Sequence, residues 1–185
     1  MGLGDASFTL AVYIANRPKI PEYQSLNKLM PVESGDLKLI GDVCGNGWRK
    51  VFNVYAKLLY ALEKQYFSFS SFSLTWQDYR DQHLLQVGSK TALIFTPPKL
   101  EITSPSCAPA KTLHIICGRT YAKQLIHEGC LNVDLTWLDE EFAIDLKQAV
   151  IVCPYFDYRQ LSNKKLDRLS SMLSGLIIGR IQDLT

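Results

Sequence analysis

The stretch that most constrains this chain runs from Lys38 to Leu62. A short apolar run (Leu37, Leu39, Ile40) enters Gly41-Asp42-Val43-Cys44-Gly45-Asn46-Gly47 and leaves as an amphipathic helix beginning near Trp48. Phe52, Tyr55, Ala56, Leu59 and Leu62 then recur on one helical face. A strand, a glycine-rich turn and a helix in that order bring backbone N–H groups and one carboxylate to a sheet edge, where α/β proteins hold their ligands.

The rest of the chain alternates in the same way. Residues 8–14 read as a strand of β-branched and aromatic side chains closed off by Pro18 and Pro21. Residues 23–29 form a short helix before Pro31, and 37–43 are the second strand. In 67–76 serines alternate with Phe67, Phe69, Phe72 and Leu74, a strand bulged at Ser70-Ser71. A helix over 78–87 ends at Gly88, a strand over 91–96 stops at Pro97-Pro98, 100–103 return as a hairpin arm, and 104–109 are loop. Residues 113–117 are a buried strand that turns at Gly118 into a helix over 120–127, with Gly129 as its C′ glycine. A short helix over 139–146, a strand over 149–153 broken by Pro154, a polar aromatic loop and a leucine-faced helix over 165–176 complete the chain. The expectation is a three-layer α/β/α sandwich with a mainly parallel central sheet, one domain spanning 1–185.

Composition narrows the function. A formal charge of +2 over 185 residues gives no bulk attraction for nucleic acid, so any polyanion site is a local cluster. The N-terminal apolar run is too short to span a bilayer and lacks a basic region ahead of it, so neither a membrane partner nor export is expected. Ala6 stands where a myristoylation signal wants Ser or Thr. Five cysteines with no C-x-x-C pair argue against a disulfide framework and a thiolate zinc site, and point to the cytoplasm. His83, His114 and His127 show no paired ligand spacing, and Gly45-Asn46-Gly47 lacks Walker spacing, so no metal and no cofactor are expected.

Three landmarks carry a family resemblance. Ile40-Gly41-Asp42-Val43-Cys44-Gly45, with Gly47, Phe52 and Leu58-Leu59, resembles the first motif of the uracil-DNA glycosylase superfamily, a strand ending in a Gly-acid-x-Pro-Gly turn before a helix. Ile115-Ile116-Cys117-Gly118-Arg119-Thr120-Tyr121-Ala122 is similar to its later strand, which ends in glycine before a helix. Val150-Ile151-Val152-Cys153-Pro154-Tyr155 stands where that superfamily has a strand followed by His-Pro-Ser and a DNA-intercalating loop. Together they cover roughly two thirds of the chain. Cys44 replaces the proline of the turn, and Cys153 replaces the histidine. A thiol does not supply the hydrogen bond that imidazole gives a base carbonyl as charge develops there.

The resemblance implies a glycosylase-type hydrolase that extrudes a base, with Asp42 as the carboxylate that orients water. From the residues alone, Asp42 is equally a helix-capping aspartate. Asn46 either reads the amide face of a base or fills a left-handed turn position. Trp48 stacks on a base or anchors the core. Arg49 and Lys50 lie in a first helical turn, poor for cations, which marks either a negative neighbour or solvated surface. Tyr155, Phe156, Tyr158 and Arg159, followed by Asn163, Lys164, Lys165 and Arg168, suit a nucleic-acid reader and equally a protein interface. Cys117 reads as a buried structural thiol, because His114 on the same strand faces the other way. Asp139-Glu140-Glu141 reads as a dipole-stabilising first turn. Two classes remain: an enzyme acting on or binding a nucleobase in DNA, with DNA or a nucleotide as partner, or an inactive binding module with a protein partner.

Overall fold

Four apolar runs, each too rich in β-branched and aliphatic residues to face water, make the middle of the sheet. The computed structural model describes residues 1–100 and 112–179. In chain order the elements are β1 (Gly2–Gly4), β2 (Leu10–Tyr13), α1 (Pro21–Gln24), β3 (Leu29–Met30), α2 (Asp36–Cys44), α3 (Asn46–Ala61), α4 (Trp76–Gln82), β4 (Thr91–Ile94), β5 (Leu113–Cys117), α5 (Arg119–His127), β6 (Thr136–Trp137), β7 (Ala143–Asp145), β8 (Val150–Cys153) and α6 (Asn163–Ile178).

One mixed sheet runs β3-β1-β4-β2-β5-β8-β7-β6. Its centre, β4-β2-β5-β8, is parallel throughout, while β1 and β7 join each flank antiparallel. Strand alternation sorts the core into two layers. Leu10, Val12, Leu93, Ile115, Cys117, Ile151 and Cys153 pack with Val51, Phe52, Tyr55 and Leu59 of α3 and Leu169 and Leu173 of α6. On the other face Ala11, Tyr13, Ala92, Ile116, Val150 and Val152 meet Ala122 and Leu125 of α5. Helices thus cover both faces of an α/β sheet. Tyr55 is fully buried, and its hydroxyl donates to the Ala92 carbonyl at 3.0 Å, which ties α3 to the sheet centre.

Several sequence expectations are corrected. Residues 37–43 are helix, not strand: Leu37, Ile40 and Gly41 are buried while Leu39 and Val43 face solvent, a three-and-four rhythm. Gly41 is needed there because a Cβ would stand 2.6 Å from Arg49 Cγ on α3. Residues 67–76 form no strand, and Phe72 and Leu74 are exposed. Over 139–146 there is no helix. Asp139 Oδ1 accepts the N–H groups of Glu141 and Phe142, closing a turn that feeds β7. The helix expected over 23–29 is instead α1, which ends at Gln24, with Leu29 in β3, and the one expected over 78–87 is α4, which starts earlier behind a Thr75–Asp78 capping box and ends at Gln82. Apart from Leu100, the expected hairpin arm at 100–103 and loop at 104–109 lie outside the described residues.

Strand β1, which lies between β3 and β4, is not announced by the sequence, because Gly2-Leu3-Gly4 has little β propensity. Its glycines let the backbone press on β4: a Cβ on Gly4, which has φ +130°, would stand 2.3 Å from the Thr91 carbonyl oxygen. Gly4→Ala is expected to destabilise by about 2 kcal/mol in urea unfolding. Gly47→Ala, inside α3 with nothing within 4 Å of the added carbon, should instead stabilise by about 0.5 kcal/mol.

Candidate functional site

The connection leaving β2 runs to the face of α3, whereas the one leaving β5 enters α5 on the opposite face. Since β2 and β5 are neighbours, their carboxyl ends part over a crevice, the position where open α/β sheets bind ligands. A crevice of about 530 Å³ lies there, lined from β2 by Ala15 and Asn16, from β5 and α5 by Cys117 to Tyr121, and from β8 by Pro154 and Tyr155. Glu140, Glu141 and Gln160 close its rim.

Asn16 Nδ2 donates to the Tyr155 hydroxyl at 3.1 Å, bridging the loops after β2 and β8. Burial pushes the Tyr155 phenol up even though the Asn16 amide draws it down, so the hydroxyl stays protonated. Gly118 opens α5 with φ +101°, a conformation suited to glycine, and its own N–H goes to the Cys153 carbonyl at 2.8 Å. No side chain caps α5, which leaves its first-turn N–H groups at the crevice wall.

The rim is braced from outside. Arg119 donates to the Glu140 carbonyl at 3.0 Å and lies 5.5 Å from the Trp137 ring centre. Lys165 on α6 pairs with Glu141 at 2.6 Å and donates to the Gln160 carbonyl. Arg168 pairs with Asp139; burial would raise that carboxyl, but the Glu141 N–H and Arg168 hold it below its ordinary range. Beneath the crevice, Cys117 and Cys153 face one another in register on β5 and β8. Burial, then the neighbouring Cys153 thiol, pushes the Cys117 thiol up, the condition of an inert core cysteine.

Of the catalytic and base-binding candidates Asp42, Asn46, Trp48, Arg49, Tyr155, Arg159 and Asn163, only Tyr155 lines this crevice. Asp42 sits on the exposed side of α2, where it accepts from Lys38 Nζ at 2.7 Å and Arg49 at 2.8 Å. The Lys38 hydrogen bond first, and Arg49 with it, lowers its pKa. It lines a separate cleft of about 520 Å³ with Arg80 and Asp81. Asn46 opens α3 in solvent, and Trp48 is a core anchor against Phe52 and Phe95. Arg159 lies exposed beside Asp157 at 3.7 Å, and Asn163 is the exposed first residue of α6.

The structure starts α3 at Asn46, which puts Lys50 beyond the first turn, and its negative neighbour is internal. Lys50 pairs with Asp157 at 2.8 Å and lies 4.8 Å from the Tyr158 ring centre, so α3 and the loop after β8 do meet. Sequence reasoning passed over Asn16, and took Glu140 and Glu141 for the first turn of a helix. The readable signal for Asn16 was its place directly after an apolar strand and just before Pro18.

Residues 1–174 match the family described as "Family of unknown function (DUF6942)". The chain belongs to the DUF6942 family. No curated protein and no solved structure matches it. Among the described residues of this DUF6942 member, no helix is long and apolar enough to cross a membrane, and no three His, Cys, Asp or Glu residues gather to hold a metal.

Proposed function

We propose that this chain is a nucleobase-binding module of glycosylase-like α/β build, with the crevice over β2, β5 and β8 as its site. The observation that carries this reading is the Asn16–Tyr155 bridge facing the uncapped start of α5 across that crevice. A carboxamide offers a donor and an acceptor side by side, the pattern displayed on the edge of a base. Tyr121 and Tyr155 supply aromatic walls, and the α5 N–H groups supply donors for a carbonyl or an anionic oxygen.

The resemblance implied Asp42 as the carboxylate of the site; the crevice instead presents the amide of Asn16, in the loop after β2. An amide orients water or reads a base but takes up no proton. The crevice carboxylate with neither ion pair nor hydrogen bond among the described residues is Glu140, so any hydrolysis would run on Glu140 and not on Asp42.

The test uses uracil, uridine and uracil-containing single- and double-stranded oligonucleotides, scored for binding and for abasic sites. Asn16→Leu should weaken binding about tenfold or more, the cost of an unmatched polar edge, while Asp42→Asn leaves it unchanged. Any abasic sites formed should vanish in Glu140→Gln. Binding indifferent to Asn16→Leu, or excision that depends on Asp42, overturns the reading.

A protein-interaction module is the second reading. Phe72 and Leu74 are 92% and 90% exposed, and Phe72 shares a groove of about 260 Å³ with Val87.

A further inference from the structure

We infer that the crevice takes an unpolymerised, nucleoside-sized molecule and not a nucleic-acid strand, an inference that rests on the reading of the crevice as a nucleobase site. Binding a strand requires cations free to replace the counterions of its phosphates. Among the described residues around this crevice, several cations are already ion-paired inside the molecule. Lys50 pairs with Asp157, Lys165 with Glu141 and Arg168 with Asp139, while Arg17 and Arg119 donate to the neutral Gln24 and Glu140 carbonyls and keep their charge. Lys19 and Lys164 stand in solvent and Arg159 is largely exposed 3.7 Å from Asp157, but these scattered cations make no continuous track along a backbone.

The lining itself opposes a polyanion. Among the described residues its charged side chains are one cation, Arg119, against two carboxylates, Glu140 and the Lys165-paired Glu141. A passing phosphodiester chain would meet those carboxylates repeatedly, whereas one anionic group is accommodated by the α5 N-terminus beside Arg119.

The aromatic side chains outside the crevice point the same way. A strand reader offers open rings to the bases flanking its target. Here Tyr158 carries the Lys50 ammonium against its ring, and Trp137 carries Arg119 and Lys123, each within 5.6 Å of a ring centre. Half-buried Tyr121 and Tyr155 instead line the crevice, whose volume of about 530 Å³ suits a ligand of one base and one sugar.

The full chain is titrated by calorimetry with the four common ribonucleosides, their 5′-monophosphates, and a mixed-sequence single strand of about 12 nucleotides with its duplex, at about 50 and 200 mM salt. Asn16→Leu and the near-isosteric Tyr155→Phe are run in parallel, with circular dichroism confirming that each folds. At least one nucleoside or monophosphate should bind about tenfold or more tightly than either polymer, and change affinity less than about threefold between the two salts. Asn16→Leu should weaken that binding about tenfold or more, and Tyr155→Phe should weaken it less. If a polymer binds more tightly, with steep salt dependence and loss in Asn16→Leu, the small-ligand inference fails while the site stands. If nothing binds, or binding ignores Asn16→Leu, both the inference and the site reading fail.

Discussion

Lys50→Met should cost about 3 kcal/mol of stability in urea unfolding, and should loosen the loop after β8. The Lys50 and Asp157 side chains are only 11% and 19% exposed, so removing one leaves its partner largely desolvated. Asp157 keeps the Arg159 N–H at 3.0 Å, so the cost lies at the lower end for a broken buried pair. Burial raises the Asp157 carboxyl, but the Lys50 ammonium and the Arg159 N–H outweigh it and hold the carboxyl below its ordinary value. With the folded value depressed, the pair's contribution is fully present above the ordinary carboxylate range and is lost as pH falls through the lowered value. The deficit of Lys50→Met should therefore shrink on acidification. Asp157→Asn added to Lys50→Met should recover part of the loss, with a coupling of about 1 to 2 kcal/mol. Equal deficits at pH 7 and pH 3, or no coupling, would mean the pair behaves as a surface contact.

The centre of the fold was legible because burial on both faces writes an unbroken apolar run. Leu113 to Cys117 and Val150 to Cys153 admit few other readings, and α3 and α6 each carry a long apolar stripe. What misled was short and locally ambiguous. Leu37 to Cys44 is apolar enough for a strand, and its glycines resemble a turn. Only packing against Arg49 reveals that Gly41 sits inside a helix for close approach to α3. Asp139-Glu140-Glu141 carries the charge of a helix start, yet Asp139 spends its carboxylate on the two N–H groups of a turn.

The site was harder to find for a related reason. Asp42 and Arg49 satisfy one another, as do Lys50 and Asp157, so the side chains with the most conspicuous chemistry are paired inside the protein. Asn16 and the α5 N–H groups are inconspicuous in a sequence, and they gain meaning only once β2 and β5 are known to be neighbours whose connections diverge. Two of the three glycosylase-like landmarks, those ending β5 and β8, do reach the crevice; the one built on Asp42 does not.

Acid should weaken this protein through one buried imidazole. His114 on β5 and Tyr13 at the end of β2 meet at 2.9 Å through Nδ1, on the sheet face that α5 shares. Burial pushes the Tyr13 phenol up, so its O–H remains to donate to the neutral ring. Burial lowers His114 from its ordinary 6.5 to about 4. Between those values the unfolded chain takes up a proton that the folded chain refuses, so stability is complete above pH 6.5 and falls on the way to pH 4 by about 3 kcal/mol. His114→Gln keeps an acceptor for Tyr13 and removes the titration. Urea unfolding at pH 7 and pH 4.5 should show the unsubstituted protein losing about 2 to 3 kcal/mol more than the variant, the carboxylate contributions being common to both. Identical losses would show that the imidazole titrates freely. The pair joins the two strands whose ends carry Asn16 and Gly118, so the same acid step should raise amide exchange around the crevice before it reaches the stripe of α3 buried against Ala92.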